Sequence, residues 1–382
     1  MGWNGLTSAQ TDRQTDRQTD RQTDRQTDRQ TDRQTFLGVI IPVYNCEKYL
    51  EEAVRSVLNQ PCKDLIVVII NDGSRDQSLE IAKRLEEEDN RVTVINQENQ
   101  GVSAARNAGI EYCLTRNVKY IGFLDADDVW VRGFYSDDLH EQINTERMDA
   151  YHFSYYLGNE SLTYGKLLPV SECVQEYDQI NLYGGPFWSY LYKADYFADY
   201  GIRFSVGKKV QEDEAFRYIF LGIIKRFHCL DRKMLVYRSN SLSVLHSKHD
   251  CSEWYFQYII PVWEWAKCEL QKLPVNRSNL ASGCETMQKT FVSEYIQEAC
   301  EQGIPVKEIK ERIEPYCYLY DSDSVWVDSH SLSRWKTFHE NPARLWIKYR
   351  IKGFVVSLVR PAIRNSKLIQ KRRYPVNLSG IV

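Results

Sequence analysis

The sequence predicts an α/β fold with a helical extension, and three observations carry the prediction. Short unbroken apolar runs, rich in Val and Ile, recur from residue 37 onward. Stretches with apolar residues at helical spacing separate them. Most of the runs end in polar clusters of Asn, Asp, Gly or Ser. Strands of this kind, alternating with helices, belong to a parallel sheet covered on both faces.

Residues 37–41 form the first strand, ended by Pro42 and followed by Tyr44 and Asn45. Residues 47–58 are helical, with Leu50, Ala53, Val54, Val57 and Leu58 on one face. The second strand, 65–70, closes on Asn71-Asp72-Gly73-Ser74, and a helix over 79–85 follows. Residues 92–95 are the third strand, and 103–115 a helix that Ser103 is placed to cap. The fourth strand, 120–124, runs into Asp125-Ala126-Asp127-Asp128. In such sheets the ligand sits beyond the carboxyl ends of the strands. Tyr44 and Asn45, Asp72, and the 125–128 cluster should therefore meet at one edge.

Composition bounds the function. An apolar content of 43% supports a sizeable core in a chain of 382 residues. The net charge of −3 argues against a nucleic-acid partner, but it is unevenly spread. Residues 11–34 are six neutral copies of Thr-Asp-Arg-Gln, and residues 341–382 carry ten Lys/Arg and no acid, which leaves −13 on the rest. No run approaches the roughly 18 apolar residues of a membrane span, and the start lacks a basic-then-apolar signal pattern. Ten cysteines without a Cys-x-x-Cys pair suit reduced thiols in a bacterial cytoplasm.

The tetrapeptide repeat offers nothing apolar to bury, so residues 1–35 are expected to be disordered. Its codons can be written ACA-GAC-AGA-CAG, which is ACAG three times over. A tetranucleotide tract read in triplets repeats every four codons, so the protein repeat reads as the translation of a slippage-prone tract. Gain or loss of a unit would switch the product off, the behaviour of a phase-variable gene for a cell-surface product. The bland alternative is a linker with accidental coding.

At the strand-end edge, Asp125-x-Asp127 places two carboxylates where they can share Mg²⁺ or Mn²⁺ with substrate phosphates, or merely form a solvated turn. Asp72 can accept from a base N–H or cap its own turn. Arg106 and Asn107 can meet a diphosphate, or Arg106 can be a surface charge.

The segments 39–45 (VIIPVYN), 71–74 (NDGS), 99–109 (NQGVSAARNAG) and 123–128 (FLDADD) resemble, in order and spacing, the family 2 glycosyltransferases. The resemblance is strong over residues 36–130 and weaker to about 245. It implies a GT-A fold, a Rossmann-like mixed sheet flanked by helices, and inverting transfer of a hexosyl or N-acetylhexosaminyl group from a nucleotide diphosphate. By position it implies that Pro42, Tyr44 and Asn45 line the nucleotide pocket, that Asp72 binds the base, and that Arg106 lies near the diphosphate. Asp125 would sit near the ribose and Asp127 would hold the metal. Residues 187–193 with 201–204 resemble the acceptor-side helix. Residues 211–216 (QEDEAF) resemble the Glu-Asp motif, with Asp213 the general base; Gln211 stands where the family often has Gly, and the assignment among Glu212, Asp213 and Glu214 stays open. Arg238, with Ser241, Ser243 and His246, resembles the segment that closes over the donor. The aromatic stretches 151–156 and 188–192 could stack on sugars or fill a core.

These boundaries give four parts: 1–35, the transferase domain 36–248, a helical extension 249–340 built on helices at 254–270, 287–302 and 306–313, and a basic tail 341–382. The tail interleaves aromatic and apolar residues with its charges over 344–373, as an interfacial helix on anionic lipid does. Core packing or a nucleic-acid contact are the alternatives. A lipid-linked or lipooligosaccharide acceptor at the inner membrane would suit such a tail. Two rival functions remain. Asp125-Ala-Asp127-Asp-Val129 also fits a haloacid-dehalogenase-like phosphatase, but that motif closes a first strand and here closes the fourth. A non-catalytic binding protein on the same fold is the other.

Overall fold

The computed structural model describes residues 35–176, 185–239, 250–274, 280–321, 329–352, 376–378 and 381. The tetrapeptide repeat, Ser241, Ser243, His246 and the tail over 353–375 lie outside the described residues.

The first half alternates as its apolar runs require: β1 (Leu37–Val43), α1 (Leu50–Leu58), β2 (Leu65–Asp72), α2 (Ser78–Glu88), β3 (Val92–Gln97), α3 (Val102–Thr115) and β4 (Tyr120–Phe123). These four strands pair in parallel in the order β4-β1-β2-β3. β1 is buried along its whole length, as an unbroken apolar strand must be. Pro42 does not end β1; the strand runs on to Val43, with Pro42 opposite Ile70. α3 lies close against β1 and β2 at Gly109, where a Cβ would stand 2.5 Å from Ile40 Cγ2 and 2.9 Å from Ile70 Cδ1.

Ser103 does not cap α3. The helix begins one residue earlier, behind Gly101 at φ +90°, and the buried Ser103 hydroxyl has no hydrogen-bond partner among the described residues. Only a residue tolerant of positive φ allows that early start.

Beyond β4 the sheet becomes mixed. β5 (Val129–Trp130) and α4 (Asp137–Glu146) lead to β6 (Ala150–Gly158), β7 (Tyr164–Leu168) and β8 (Cys173–Glu176). β9 (Tyr190–Lys193) inserts antiparallel between β4 and β6. α5 (Asp195–Tyr200) and α6 (Glu212–Ile223) follow, and β10 (Arg226–Arg238) pairs with β5, β6 and β8. The stretch expected to resemble an acceptor-side helix is instead one 3₁₀ turn, Phe187–Ser189, running into β9. Its alternating aromatic residues suit a pleated strand better than a helix.

The extension is helical. Residues 251–259, with a π turn over Trp254–Ile259, lead into α7 (Ile260–Lys272). α8 (Leu280–Gln302), α9 (Val306–Ile313), α10 (Ser329–Glu340) and α11 (342–352) follow. Trp263, Leu270 and Leu280 join the core of the sheet domain, and Tyr218 on α6 donates its hydroxyl proton to Leu280 O at 2.9 Å. A second core gathers Tyr255, Ile296, Ile309, Phe338, Leu345 and Tyr349. The described start of the basic tail thus packs Leu345, Trp346 and Tyr349 against the extension, while Ile347 and Ile351 stay exposed. The described end goes elsewhere: β11 (Val376–Asn377) pairs antiparallel with β7, Leu378 is buried, and Arg132 N–H donates to Ile381 O at 2.8 Å. Residues 341–382 are therefore not one uniform tail, because an open sheet edge at β7 recruits the last few residues. Among the described residues no helix is long and apolar enough to cross a membrane.

Candidate active site

The carboxyl ends of β1, β2 and β4 bring the polar clusters together. After β1, Asn45 takes a left-handed conformation, φ +51°. Its side-chain oxygen accepts Arg75 N–H at 2.8 Å, and its own N–H donates to Ser74 Oγ at 3.1 Å. This ties the first strand-end loop to the second. Tyr44 beside it is 50% exposed, whereas Pro42 is buried in the sheet. Of the two, only Tyr44 has surface to offer a base.

Asp72 ends β2 almost wholly buried, and its carboxylate organises the next loop. Oδ1 accepts from Gln97 Nε2 at 2.7 Å and Gln100 N–H at 2.9 Å, and Oδ2 accepts Gly101 N–H at 2.8 Å. The turn-capping reading is the one these contacts show, and lone pairs remain on its oxygens.

Arg106 on α3 is the hub. It is 4% exposed. Nη2 donates to Asp125 Oδ1 at 3.0 Å and Nη1 to Glu212 Oε1 at 3.2 Å. The guanidinium lies 4.3 Å from the Phe187 ring centroid and 5.2 Å from that of Phe204. Burial opposes its charge, but the Asp125 and Glu212 carboxylates outweigh it and hold the group above its usual value. Three segments distant in sequence are pinned by one cation. The sequence showed Arg106 and both carboxylates, yet gave no signal that they touch. Phe204, which stacks on Phe216 at 3.9 Å, was not foreseen as part of this cage.

The start of α6 settles how its three acids differ. Glu212 is tied to Arg106. Glu214 is tied to Arg217, an ion pair within one helical turn. Asp213 accepts Glu214 N–H at 2.8 Å and has no cation partner among the described residues. Burial pushes the Glu212 carboxyl up to about 7, with the Asp213 charge adding to the rise and Arg106 opposing it. Asp213 is also raised by burial, against Arg106.

The turn after β4 is held by Arg238, at the end of β10. Its N–H donates to Asp128 Oδ1 at 2.7 Å, its Nε to Asp127 O at 2.7 Å and its Nη1 to Glu160 O at 2.6 Å. Nη2 pairs with Glu52, and the guanidinium sits 4.6 Å from the Tyr49 ring centroid. Arg238, expected at the donor, is buried, and each of its side-chain nitrogens donates to a protein oxygen. It shapes the turn on which Asp127 stands. Asp128 is fully buried, and burial, with the charges of Asp127 and Asp125, raises it well above the usual carboxylate range. Asp125 and Asp127 keep partial exposure at the site.

The aromatic stretches mostly fill the core. Tyr151, Phe153, Tyr190 and Tyr192 are fully buried. Trp188 stacks on Tyr237 at 5.5 Å and meets Tyr155 edge-on at 4.8 Å. All ten cysteines are free thiols. Among the described residues no three His, Cys, Asp or Glu side chains cluster as a ready-made metal cage.

Residues 38–186 match the family model described as Glycosyl transferase family 2. Glycosyltransferase GlyA of Streptococcus pneumoniae is 33% identical over 215 residues, which cover 52% of this chain and 30% of GlyA. The uncharacterized glycosyltransferase EpsJ of Bacillus subtilis is 29% identical over 218 residues, covering 54% of this chain and 62% of EpsJ. The chain thus spans less than two thirds of either relative. Among solved structures, S. aureus TarS 1–349 in complex with UDP-GlcNAc is similar in fold, with a TM-score of 0.57 and 17% identity over 84% of this chain and 89% of that one.

Proposed function

Given that this chain carries a family 2 glycosyltransferase domain of GT-A type, we propose that it moves a sugar from a nucleotide diphosphate to a hydroxyl of a surface glycan, with inversion. The observation that carries the reading is the Arg106 bridge from Asp125 to Glu212, which sets Asp213 beside the strand-end carboxylates. A UDP-sugar is the donor this reading favours, in keeping with the UDP-GlcNAc bound by the TarS neighbour.

In this reading Asp213 takes the proton from the acceptor hydroxyl as its oxygen bonds to the anomeric carbon. The bond from that carbon to the diphosphate oxygen breaks on the opposite face. A carboxyl raised by burial is the stronger base for that step. Tyr44 and the Asp72 loop receive the nucleotide, and Asp125 stands near the ribose. Arg106 keeps Asp125 and Glu212 in place rather than meeting the diphosphate, because both guanidinium ends are already engaged.

A divalent cation fits the turn after β4. Asp125 and Asp127 are its partly exposed carboxylates, and their oxygens are hard donors. Asp127 would hold Mn²⁺ or Mg²⁺ together with the donor's phosphates, and the ion would neutralise charge on the leaving diphosphate.

The decisive test compares transfer from a panel of UDP-sugars by the full chain, by Asp213→Asn and by Asp127→Ala. Asp213→Asn should lose roughly 10²–10⁴-fold in turnover while still binding donor. Asp127→Ala should lose the dependence on Mn²⁺. If both variants keep full activity, the assignment of roles fails.

The acceptor proposed is a lipooligosaccharide or lipopolysaccharide, on three sequence features. The Thr-Asp-Arg-Gln tract supports a phase-variable surface product. The +10 tail supports attachment to an anionic inner-membrane face. The absence of a spanning helix among the described residues is compatible with peripheral attachment. Mixed synonymous codons across the six repeats would overturn the first of these.

A further inference from the structure

Away from the strand-end site, α8, α10 and α11 enclose a cavity of about 600 Å³. Its walls are cationic. Arg334 comes from α10, and Arg344, Lys348 and Lys352 come from α11, with His330 at the rim and the buried Tyr349 between them. Among the described residues that line it, none is a carboxylate.

The arrangement is built rather than incidental. Arg344, Lys348 and Lys352 stand four residues apart, so successive turns of α11 bring them to one face. Like charges at that spacing destabilise a helix unless something of opposite sign compensates. The protein supplies little: Lys352 has Glu301 at 4.0 Å, and that carboxylate also accepts from Gln297. Lys348 lies 5.4 Å from the Tyr349 ring centroid. Arg334 is fixed in place, donating from Nη1 to Ser293 Oγ at 3.0 Å and from Nε to Tyr349 Oη at 3.4 Å. Ser293 in turn donates to Ser331 O at 3.0 Å. Arg334 is thereby pre-oriented, and its Nη2 has no protein partner among the described residues. Beside the charged row, α11 exposes Ile347 and Ile351.

We propose that this cavity is a phosphate-binding site, receiving a phosphate ester carried either by a soluble glycan or by a lipid headgroup. Arg and Lys donors converging on a pocket without carboxylate walls match a phosphate's charge and its acceptor oxygens. The volume leaves room for the group that bears the phosphate. The site goes beyond the transfer reading and does not depend on it, since none of its residues belongs to the donor site.

The full chain is titrated calorimetrically with inorganic phosphate, with UDP and Mg²⁺ saturating the donor site. In parallel it is sedimented with phosphatidylcholine vesicles with and without phosphatidylglycerol. The variants are the double Arg344→Gln/Lys348→Gln, the charge-keeping Arg344→Lys, and Lys336→Gln, an exposed position of α10 outside the cavity. Matched thermal melts check folding. The double variant should bind at least about 10-fold more weakly, Arg344→Lys should stay close to wild type, and Lys336→Gln should be unchanged. Saturable binding of inorganic phosphate identifies a soluble ester as sufficient. Binding only to phosphatidylglycerol vesicles, lost in the double variant, identifies the lipid headgroup. If no phosphate binds and both proteins sediment equally, the cavity is not such a site, even if the tail as a whole is attracted to the membrane.

Discussion

Glu212→Gln tests the electrostatics at the centre of the site. In the folded chain this carboxyl is raised from 4.5 to about 7 by burial first and by the Asp213 charge second. An unfolded chain ionises it near its ordinary value, so folding must hold a proton that the unfolded chain releases. Stability is therefore lost as pH rises from about 4.5, and the loss levels off above about 7. At roughly 1.4 kcal/mol per unit the full loss is about 3 kcal/mol, most of it between pH 5 and pH 8. Gln cannot ionise, so the variant lacks this contribution. The assay is chemical denaturation of both proteins at the two pH values, read as the difference of differences. Any constant effect of losing the Arg106 ion pair cancels in that comparison. The variant should gain on the wild type by about 2–3 kcal/mol from pH 5 to pH 8. Parallel pH profiles, or a gain in the opposite direction, would refute the claim that burial governs this carboxyl.

Three further perturbations follow from the same contacts. Arg106→Met should destabilise by about 3–5 kcal/mol at pH 8, because it strands Asp125 and Glu212 without a cation; the loss should shrink at pH 5, where Glu212 is protonated, and denaturation at both pH values checks it. Asp72→Asn turns an amide N–H₂ toward one of the loop's donors and should cost about 1–3 kcal/mol, with faster amide exchange at Gln100 and Gly101. Gly109→Ala drives a Cβ to 2.5 Å from Ile40 Cγ2 and should cost about 1–3 kcal/mol through overpacking, seen as a lowered Tm with the donor site chemically intact.

Much of the N-terminal half was legible in the sequence. The period of the apolar runs placed β1 to β4 and the helices between them, since a strand buried on both faces has no other composition open to it. The strand-end clusters followed, because chain direction alone puts them at one edge of a parallel sheet. Three helices of the extension were legible from apolar spacing, though not what they pack against, and α10 was not. Ser103 was misread as a cap because Gly101, two residues before it, accepts a backbone conformation that starts the helix sooner. Residues 187–193 were expected as a helix by resemblance alone, and their alternating aromatic residues instead form a turn and a strand.

The sequence by itself determined the parallel half of the sheet, the order of the polar clusters, and the separation of a neutral repeat, an acidic body and a basic end. Local periodicity and the covalent order of the chain are enough for those. Only the tertiary structure decided which charges meet. Arg106 reaches Asp125 and Glu212 across 19 and 106 residues of sequence; Arg238 is drawn into the turn of Asp127 and Asp128. Arg217 takes Glu214, which leaves Asp213 without an ion-pair partner among the described residues. The structure likewise turned a row of lysines and arginines on α11 into one wall of a cavity. Charge pairing depends on distances of a few ångströms between segments remote in sequence, and the Coulomb energies that govern it change several-fold with burial. Neither quantity is encoded in any local stretch of residues.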